Sequence, residues 1–138
     1  MNPQDRPCLL DTHTARTLLQ ADAPVELRRR VRRARFGSLW MSAITEGELR
    51  SDLHHMGAGE PLREALELLF RNIPTVPFDR SAAVAYAVLC RHPALPENAS
   101  DLEVLVAAHA ISLDATLITP ASTYSGISDI VTENWHVA

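Results

Sequence analysis

The sequence contains no lysine; all thirteen basic residues are arginine. We read this mainly as a compositional bias of the source genome. It has a chemical consequence, because guanidinium forks suit carboxylates and phosphates better than ammonium groups do. Aromatic residues make up only 5% of the chain, which argues against an aromatic platform for stacking single-stranded bases. The five glycines form neither G-x-G-x-x-G nor G-x-x-x-x-G-K, so no glycine-rich phosphate loop is expected. The two cysteines, Cys8 and Cys90, form no C-x-x-C and read as reduced, buried thiols. No apolar run is long enough to span a bilayer. The N-terminus lacks the basic-then-apolar pattern of a signal peptide, and a cytoplasmic location is expected. No serine or cysteine sits in a nucleophile elbow.

The 138 residues suit one compact domain, 1–138, and the 46% apolar and 22% charged composition is that of a globular chain with a core. A net charge of −4 excludes a polycation built to coat nucleic acid. The charge is uneven, with Arg28, Arg29, Arg30, Arg32, Arg33 and Arg35 crowded into one stretch. On a helix that run wraps most of the surface, and its plain reading is a solvated helix. Its functional reading is RNA steering or an acidic partner.

Short apolar runs alternate with helical patterns. Cys8-Leu9-Leu10-Asp11, Leu39 to Ala43, Ile73 to Phe78 and Thr116 to Thr119 read as strands, with Asp129 to Val137 as a further candidate. Helices are expected over Thr12 to Gln20, Pro24 to Arg35, Thr45 to Met56, Pro61 to Phe70, Asp79 (as N-cap) to Cys90, and Ser100 to Leu113. Gly57-Ala58-Gly59 breaks the chain, and Pro93 to Asn98 is a loop. Pro74 and Pro77 keep the third strand short or at an edge. Strands that are apolar throughout, rather than alternating, indicate burial on both faces. The fold class is therefore α/β, a parallel sheet with helices on both sides.

In such folds ligands collect at the C-terminal ends of the strands, and three groups of acids are expected there. Asp11 ends the first strand, Glu48 opens the helix after the second, and Asp101 and Glu103 open the helix before the fourth. Carboxylates gathered without a cationic neighbour repel one another, and a cation relieves that cost. Oxygen ligands suit Mg or Mn, and such an ion polarises a phosphoryl oxygen and acidifies a water. Each acid also has a structural reading. Thr45-Glu46-Gly47-Glu48 and Ser100-Asp101-Leu102-Glu103 both match the capping box, and Asp11 suits an N-cap acting through Thr14. His13, two residues after Asp11, reaches toward the same place; His54 and His55 read as solvated, and His109 as a core histidine.

The segments Leu9-Leu10-Asp11-Thr12, Ser42 to Arg50, Pro77-Phe78-Asp79, Ala82 to Ala87, Val106 to Ala110, Ala115 to Thr119 and Glu133-Asn134-Trp135 resemble, in order, the PIN-domain toxins of the VapC type. Each block is weak, and the ordered set spans residues 9 to 135. The resemblance implies a three-layer α/β/α PIN-like domain with a short parallel sheet. It implies a Mg- or Mn-dependent ribonuclease, a homodimer, and a VapB-like antitoxin partner in a type II toxin–antitoxin system. It places the family's acids on Asp11, Glu48 and Glu103, with Asp101 matching an additional acid of some members. Thr12, His13, Thr45 and Thr119, with Arg28 and Arg32, become candidate RNA contacts. The chain departs from the pattern at three points. Asn is replaced by His13, the third acid is Glu103 where Asp is usual, and the fourth polar position is Ala121 after Pro120. These departures motivate an alternative, a catalytically impaired domain that binds a VapB-like partner. A DNA-directed nuclease is a third reading of the same residues.

Overall fold

The computed structural model describes residues 5–55 and 59–137. Elements run β1 (Cys8–Leu10), α1 (Thr12–Leu18), α2 (Val25–Arg33), β2 (Leu39–Ser42), α3 (Ala43–His55), α4 (Glu60–Asn72), β3 (Thr75–Val76), α5 (Arg80–Leu89), α6 (Asp101–Ser112), β4 (Thr116–Ile118) and β5 (Thr132–Glu133). The five strands form one sheet in the order β3-β2-β1-β4-β5, and every pairing is parallel.

The register explains the apolar strands. Leu9 pairs with Trp40 and Leu117, while Leu10 pairs with Met41 and Ile118, and adjacent residues point to opposite faces. One face carries Leu9 and Leu117 into a core with Leu89, Val104, Ala107 and Ala108, from α5 and α6. The other carries Leu10, Met41 and Ile118 into a core with Ala15, Leu27, Leu49 and Leu66, from α1 to α4. The sheet is therefore buried on both sides, a three-layer α/β/α arrangement. Full burial of each such leucine or isoleucine is worth about 1.5–3 kcal/mol.

The reversal of strand order has a geometric result. From β1 the chain winds outward through β2 to β3, with its helices on one face. It then crosses to the other side of β1 through α5 and α6 and lays down β4 and β5. The switch point lies between β1 and β4, where the strand ends leave a crevice.

Several boundaries differ from the sequence expectations, each for a local reason. Helix α3 begins at Ala43 rather than Thr45, because the buried Ser42 hydroxyl accepts the Ile44 N–H at 3.1 Å and starts the helix directly from β2. The expected end at Met56 and the Gly57-Ala58 part of the break lie outside the described residues, whereas Gly59 is the N-cap of α4. The third strand shrinks to two residues at the sheet edge, flanked by Pro74 and Pro77. The last strand is likewise only Thr132–Glu133. Asp79 caps α5 as expected, accepting the Ala82 N–H at 3.0 Å.

The cysteines divide. Cys8 is partly buried in β1 and Cys90 is exposed at the end of α5, so the expectation of two buried thiols holds only in part. Burial, with the charge of Glu133, pushes the Cys8 thiol up to about 11 against the weaker pull of Arg30. No helix among the described residues is long and apolar enough to cross a membrane.

Candidate functional site

The crevice at the switch point is a cavity of about 420 Å³. Asp11 enters it from the end of β1, Glu48 from α3, Glu103 from the first turn of α6, and Thr119 from the end of β4; Thr12, His13, Arg16, Ala121 and Tyr124 complete much of its wall. Three carboxylates far apart in sequence thus meet in one depression. Asp101 does not line it, although it shares the first turn of α6 with Glu103. Two residues along a helix are separated by about 200° of rotation, so the two acids project in different directions.

The structural readings of the acids resolve one by one. Asp11 is an N-cap, for its Oδ1 accepts the Thr14 N–H at 2.7 Å. That bond occupies one lone pair of one oxygen and leaves Oδ2 for the cavity. Neither capping box closes. Thr45 is the third residue of α3 rather than its cap, and Ser100 occupies the N-cap position of α6 without a side-chain bond.

In the segment Thr45-Glu46-Gly47-Glu48 the two acids have separate duties. Glu46 accepts from the Thr75 hydroxyl at 2.7 Å and from Arg50 Nε at 2.9 Å; the Thr75 bond first, and then Arg50, hold its pKa below the usual carboxylate range. Glu48 turns to the cavity. Its Oε1 accepts from the Thr12 hydroxyl at 2.8 Å, and the Thr45 hydroxyl is 3.0 Å from that of Thr12. Because a carboxylate only accepts, Thr12 donates to Glu48 and Thr45 donates to Thr12. Thr45 is fully buried and does not line the cavity; it orients Glu48 through Thr12 and is not positioned to touch a substrate.

Sequence reasoning assumed acids without a cationic neighbour. The structure corrects this, since Arg16 lines the same cavity. Its Nη2 lies 3.5 Å from Glu48 Oε2, and its Nε is 2.7 Å from Asp52 Oδ2. Asp52 raises the Arg16 pKa by this hydrogen bond, against the opposing effect of burial. The i, i+4 relation of Thr12 to Arg16 on α1 was the available signal. His136 was also missed. It stacks on His13 with ring centroids 5.6 Å apart, and its Nε2 is 3.0 Å from the Thr14 hydroxyl. The Thr14 hydroxyl donates to the Ile118 carbonyl at 3.1 Å, so His136 Nε2–H donates to Thr14. Burial, then the nearby His13, pushes the His136 pKa down against Asp11.

Tyr124, on the loop after β4, is the third residue that sequence reasoning missed. Its side chain is buried, and its hydroxyl has no hydrogen-bond partner among the described residues. Burial, followed by the charges of Glu103 and Asp11, raises its pKa far above the ordinary tyrosine value. His109 is the core histidine expected, with Nδ1 2.8 Å from Ser42 Oγ and Phe78 edge-on at 5.2 Å.

The donor set for a cation can be judged from this geometry. Among the described residues no three His, Cys, Asp or Glu side chains come close enough to hold one ion jointly. A closed protein cage is therefore not built here. The arrangement fits instead a hard ion such as Mg or Mn, which takes one or two carboxylates and keeps several waters. Of the cavity's three acids, Asp11 and Glu103 form no salt bridge with any described residue, and Glu48 stands behind Thr12 and Arg16.

Arg28 and Arg32 lie elsewhere. They rim a separate groove of about 650 Å³ lined by Leu18, Leu19, Val31, Phe36, Leu68 and Leu69, among others. Arg28 Nη2 donates to the carbonyls of Gln20 and Ala21 at 2.8 and 2.9 Å, and Arg30 stacks over Trp135 at 5.1 Å. Direct contact of Arg28 or Arg32 with a ligand in the carboxylate cavity is not what this arrangement provides.

No protein-family model matches the sequence, and no curated protein sequence does either. Solved structures do match. A chain of VapBC2 from Rickettsia felis, bound to a DNA fragment from its promoter, superposes with a TM-score of 0.81 at 20% identity, over 93% of this chain and 98% of that one. A chain of FitAcB from Neisseria gonorrhoeae gives 0.79 at 22% identity, over 94% and 99%. A chain of VapBC-1 from nontypeable Haemophilus influenzae gives 0.75 at 25% identity, over 93% and 97%. The fold is thus the PIN-like, VapC-type α/β/α fold.

Proposed function

We propose that this protein is a metal-dependent endoribonuclease, the toxin half of a VapBC-type toxin–antitoxin pair, acting in the cytoplasm. The observation that carries the reading is the convergence of Asp11, Glu48 and Glu103, from three separate elements, on one cavity at the switch point of a parallel sheet. The solved toxin–antitoxin complexes with the same fold support it.

Asp11 and Glu103 would hold a Mg or Mn ion, with water completing its shell. Such an ion, when bound, polarises the scissile phosphoryl group and acidifies a water. Glu48 is fixed by Thr12 and, through it, by Thr45. That preorganisation keeps its carboxylate in place without rearrangement during reaction. Arg16 faces an incoming phosphate and offsets part of the repulsion between RNA and the acids. His13 is exposed at the rim, placed to meet the flanking nucleotides. Asp101 is set aside from this role by its position.

The groove between α1, α2 and α4 supplies a surface for the VapB-like antitoxin. Phe36 is fully exposed beside it and Leu68 is 55% exposed, while Arg28, Arg32 and Arg35 border it. An amphipathic antitoxin segment with acidic residues fits that combination. Val84 and Val88 on α5 and Leu102 on α6 are also exposed and offer a second copy of the chain an apolar face for a homodimer.

The test is cleavage of a labelled mixed RNA pool by antitoxin-free protein with Mn²⁺, Mg²⁺ or EDTA, beside Asp11→Asn and Glu103→Gln. Metal-dependent cleavage lost in both variants is expected. Ala121, which brings no carboxylate to the cavity wall, favours the second reading, a binding module without catalysis. Folded protein that captures the antitoxin but cleaves neither RNA nor DNA would establish that reading instead.

A further inference from the structure

Two groups on the cavity wall are each without a partner among the described residues. The Tyr124 hydroxyl is buried and unbonded, in a side chain only 4% exposed. Glu103 is exposed and makes neither a hydrogen bond nor an ion pair with any described residue. A buried donor left unsatisfied is unfavourable, and native structures rarely keep one. A flexible glutamate side chain on the same wall changes rotamer at little cost. The other acids of the cavity are less available, because Asp11 is tied to Thr14 and Glu48 to Thr12 and Arg16.

We propose that Tyr124 is a positioning residue for Glu103, its hydroxyl donating to the Glu103 carboxylate when that side chain turns into the cavity. The contact satisfies the buried hydroxyl and holds one carboxylate oxygen, leaving the other directed at the cavity. It gives a rigid orientation to the acid of the site that no described residue restrains. The loop after β4 brings only the apolar Pro120 and Ala121 at its start but returns with Tyr124, so it acts on the site through a neutral donor. The inference rests on the metal-site reading above for its effect on Mn²⁺, and on the pair alone for its effect on stability.

The experiment is a double-mutant cycle with Tyr124→Phe, Glu103→Ala and the combination. Mn²⁺ dissociation constants are measured by calorimetric titration and melting temperatures without metal. Tyr124→Phe is expected to weaken Mn²⁺ binding about 10- to 100-fold and to have no such effect in the Glu103→Ala background. An equal effect in both backgrounds, or none in either, would overturn the proposal. So would a fall of several degrees in melting temperature that Tyr124→Phe causes equally with and without Glu103, since the hydroxyl would then be bonded elsewhere in the core. If the unmodified protein binds no Mn²⁺, the metal reading fails separately, and the stability cycle decides the pair. Non-additive melting temperatures would sustain it and additive ones would remove it.

Discussion

Asp11 has two duties that a pair of substitutions separates. Its Oδ1 caps α1 through a 2.7 Å bond from Thr14, and its charge belongs to the proposed cation site. Asn is as good an N-cap as Asp, whereas Ala is not, and the loss of such a cap costs about 1 kcal/mol. For a chain of this size that corresponds to roughly 3–4 °C in melting temperature. Asp11→Asn is therefore expected to melt within about 2 °C of the parent protein without metal, and Asp11→Ala about 3–4 °C below it. Mn²⁺ acts on the charge alone. At ten times its dissociation constant, linkage contributes about 1.4 kcal/mol, or roughly 4–5 °C. The parent should gain this shift and both variants should lose it. Differential scanning fluorimetry with and without millimolar Mn²⁺ reads both effects on one plate. A Mn²⁺ shift retained in Asp11→Asn would refute the assignment of Asp11 as a ligand. A large metal-free loss in Asp11→Asn would show that the charge itself stabilises the fold, contrary to the capping argument.

Three further outcomes are expected. Arg16→Gln removes the cation that competes for Glu48, so Mn²⁺ should bind a few-fold more tightly while RNA binds more weakly, and calorimetry with each ligand tests this. Arg16 is 43% exposed, so the same change should cost less than about 1 kcal/mol of stability in urea titration. Leu66, 1% exposed in the core beneath α4, should lose about 2–5 kcal/mol on change to alanine, measured by the same titration. Burial lowers the pKa of His109, opposed by Asp79 and the Pro77 carbonyl, and that of His136 is lowered too. Protonation then favours the unfolded chain. The stability from these two histidines is complete above about pH 6.5 and is lost as pH falls below it through the depressed folded values. The melting temperature should therefore drop between pH 7.5 and 5, and His109→Asn should flatten that drop.

The arrangement of layers was legible because burial on both faces leaves a signature. Cys8-Leu9-Leu10 and Thr116-Leu117-Ile118 are apolar without alternation, and only a covered parallel sheet makes use of that. Asp11 was legible as a boundary for the same reason, since a charge directly after a buried strand marks its edge. The start of α3 was not. Thr45 and Glu48 satisfy the capping pattern, yet the buried Ser42 hydroxyl takes the cap three residues earlier, a tertiary preference that spacing does not encode. Arg16, Tyr124 and His136 were missed for a related reason. Arg16 follows Thr12 by one helical turn, a relation too common to single it out. Tyr124 and His136 lie in irregular chain near the C-terminus, and they reach Asp11 only because β4 pairs with β1 and β5 with β4. Arg28 and Arg32 are the opposite case: a conspicuous charge run made them candidate RNA contacts, whereas they border the groove of α1, α2 and α4 rather than the carboxylate cavity.

The balance of charge in the cavity determines what the site can hold. Three carboxylates face one guanidinium there, and Asp52 already engages that guanidinium. A phosphodiester entering alone would bring further negative charge to a surface with a deficit of positive charge. Binding of RNA and binding of a divalent cation are therefore expected to be mutually strengthening, by the reciprocity of linked equilibria. On the proposed reading Arg16 would modulate the coupling. Paired with Glu48 and Asp52 it would weaken the hold of Glu48 on a cation, and turned to a phosphate it would free Glu48 and neutralise the substrate. RNA should therefore lower the apparent dissociation constant of Mn²⁺ in the parent protein, and less so in Arg16→Gln. Equal coupling in the two proteins would show that Arg16 serves only to bridge α1 and α3.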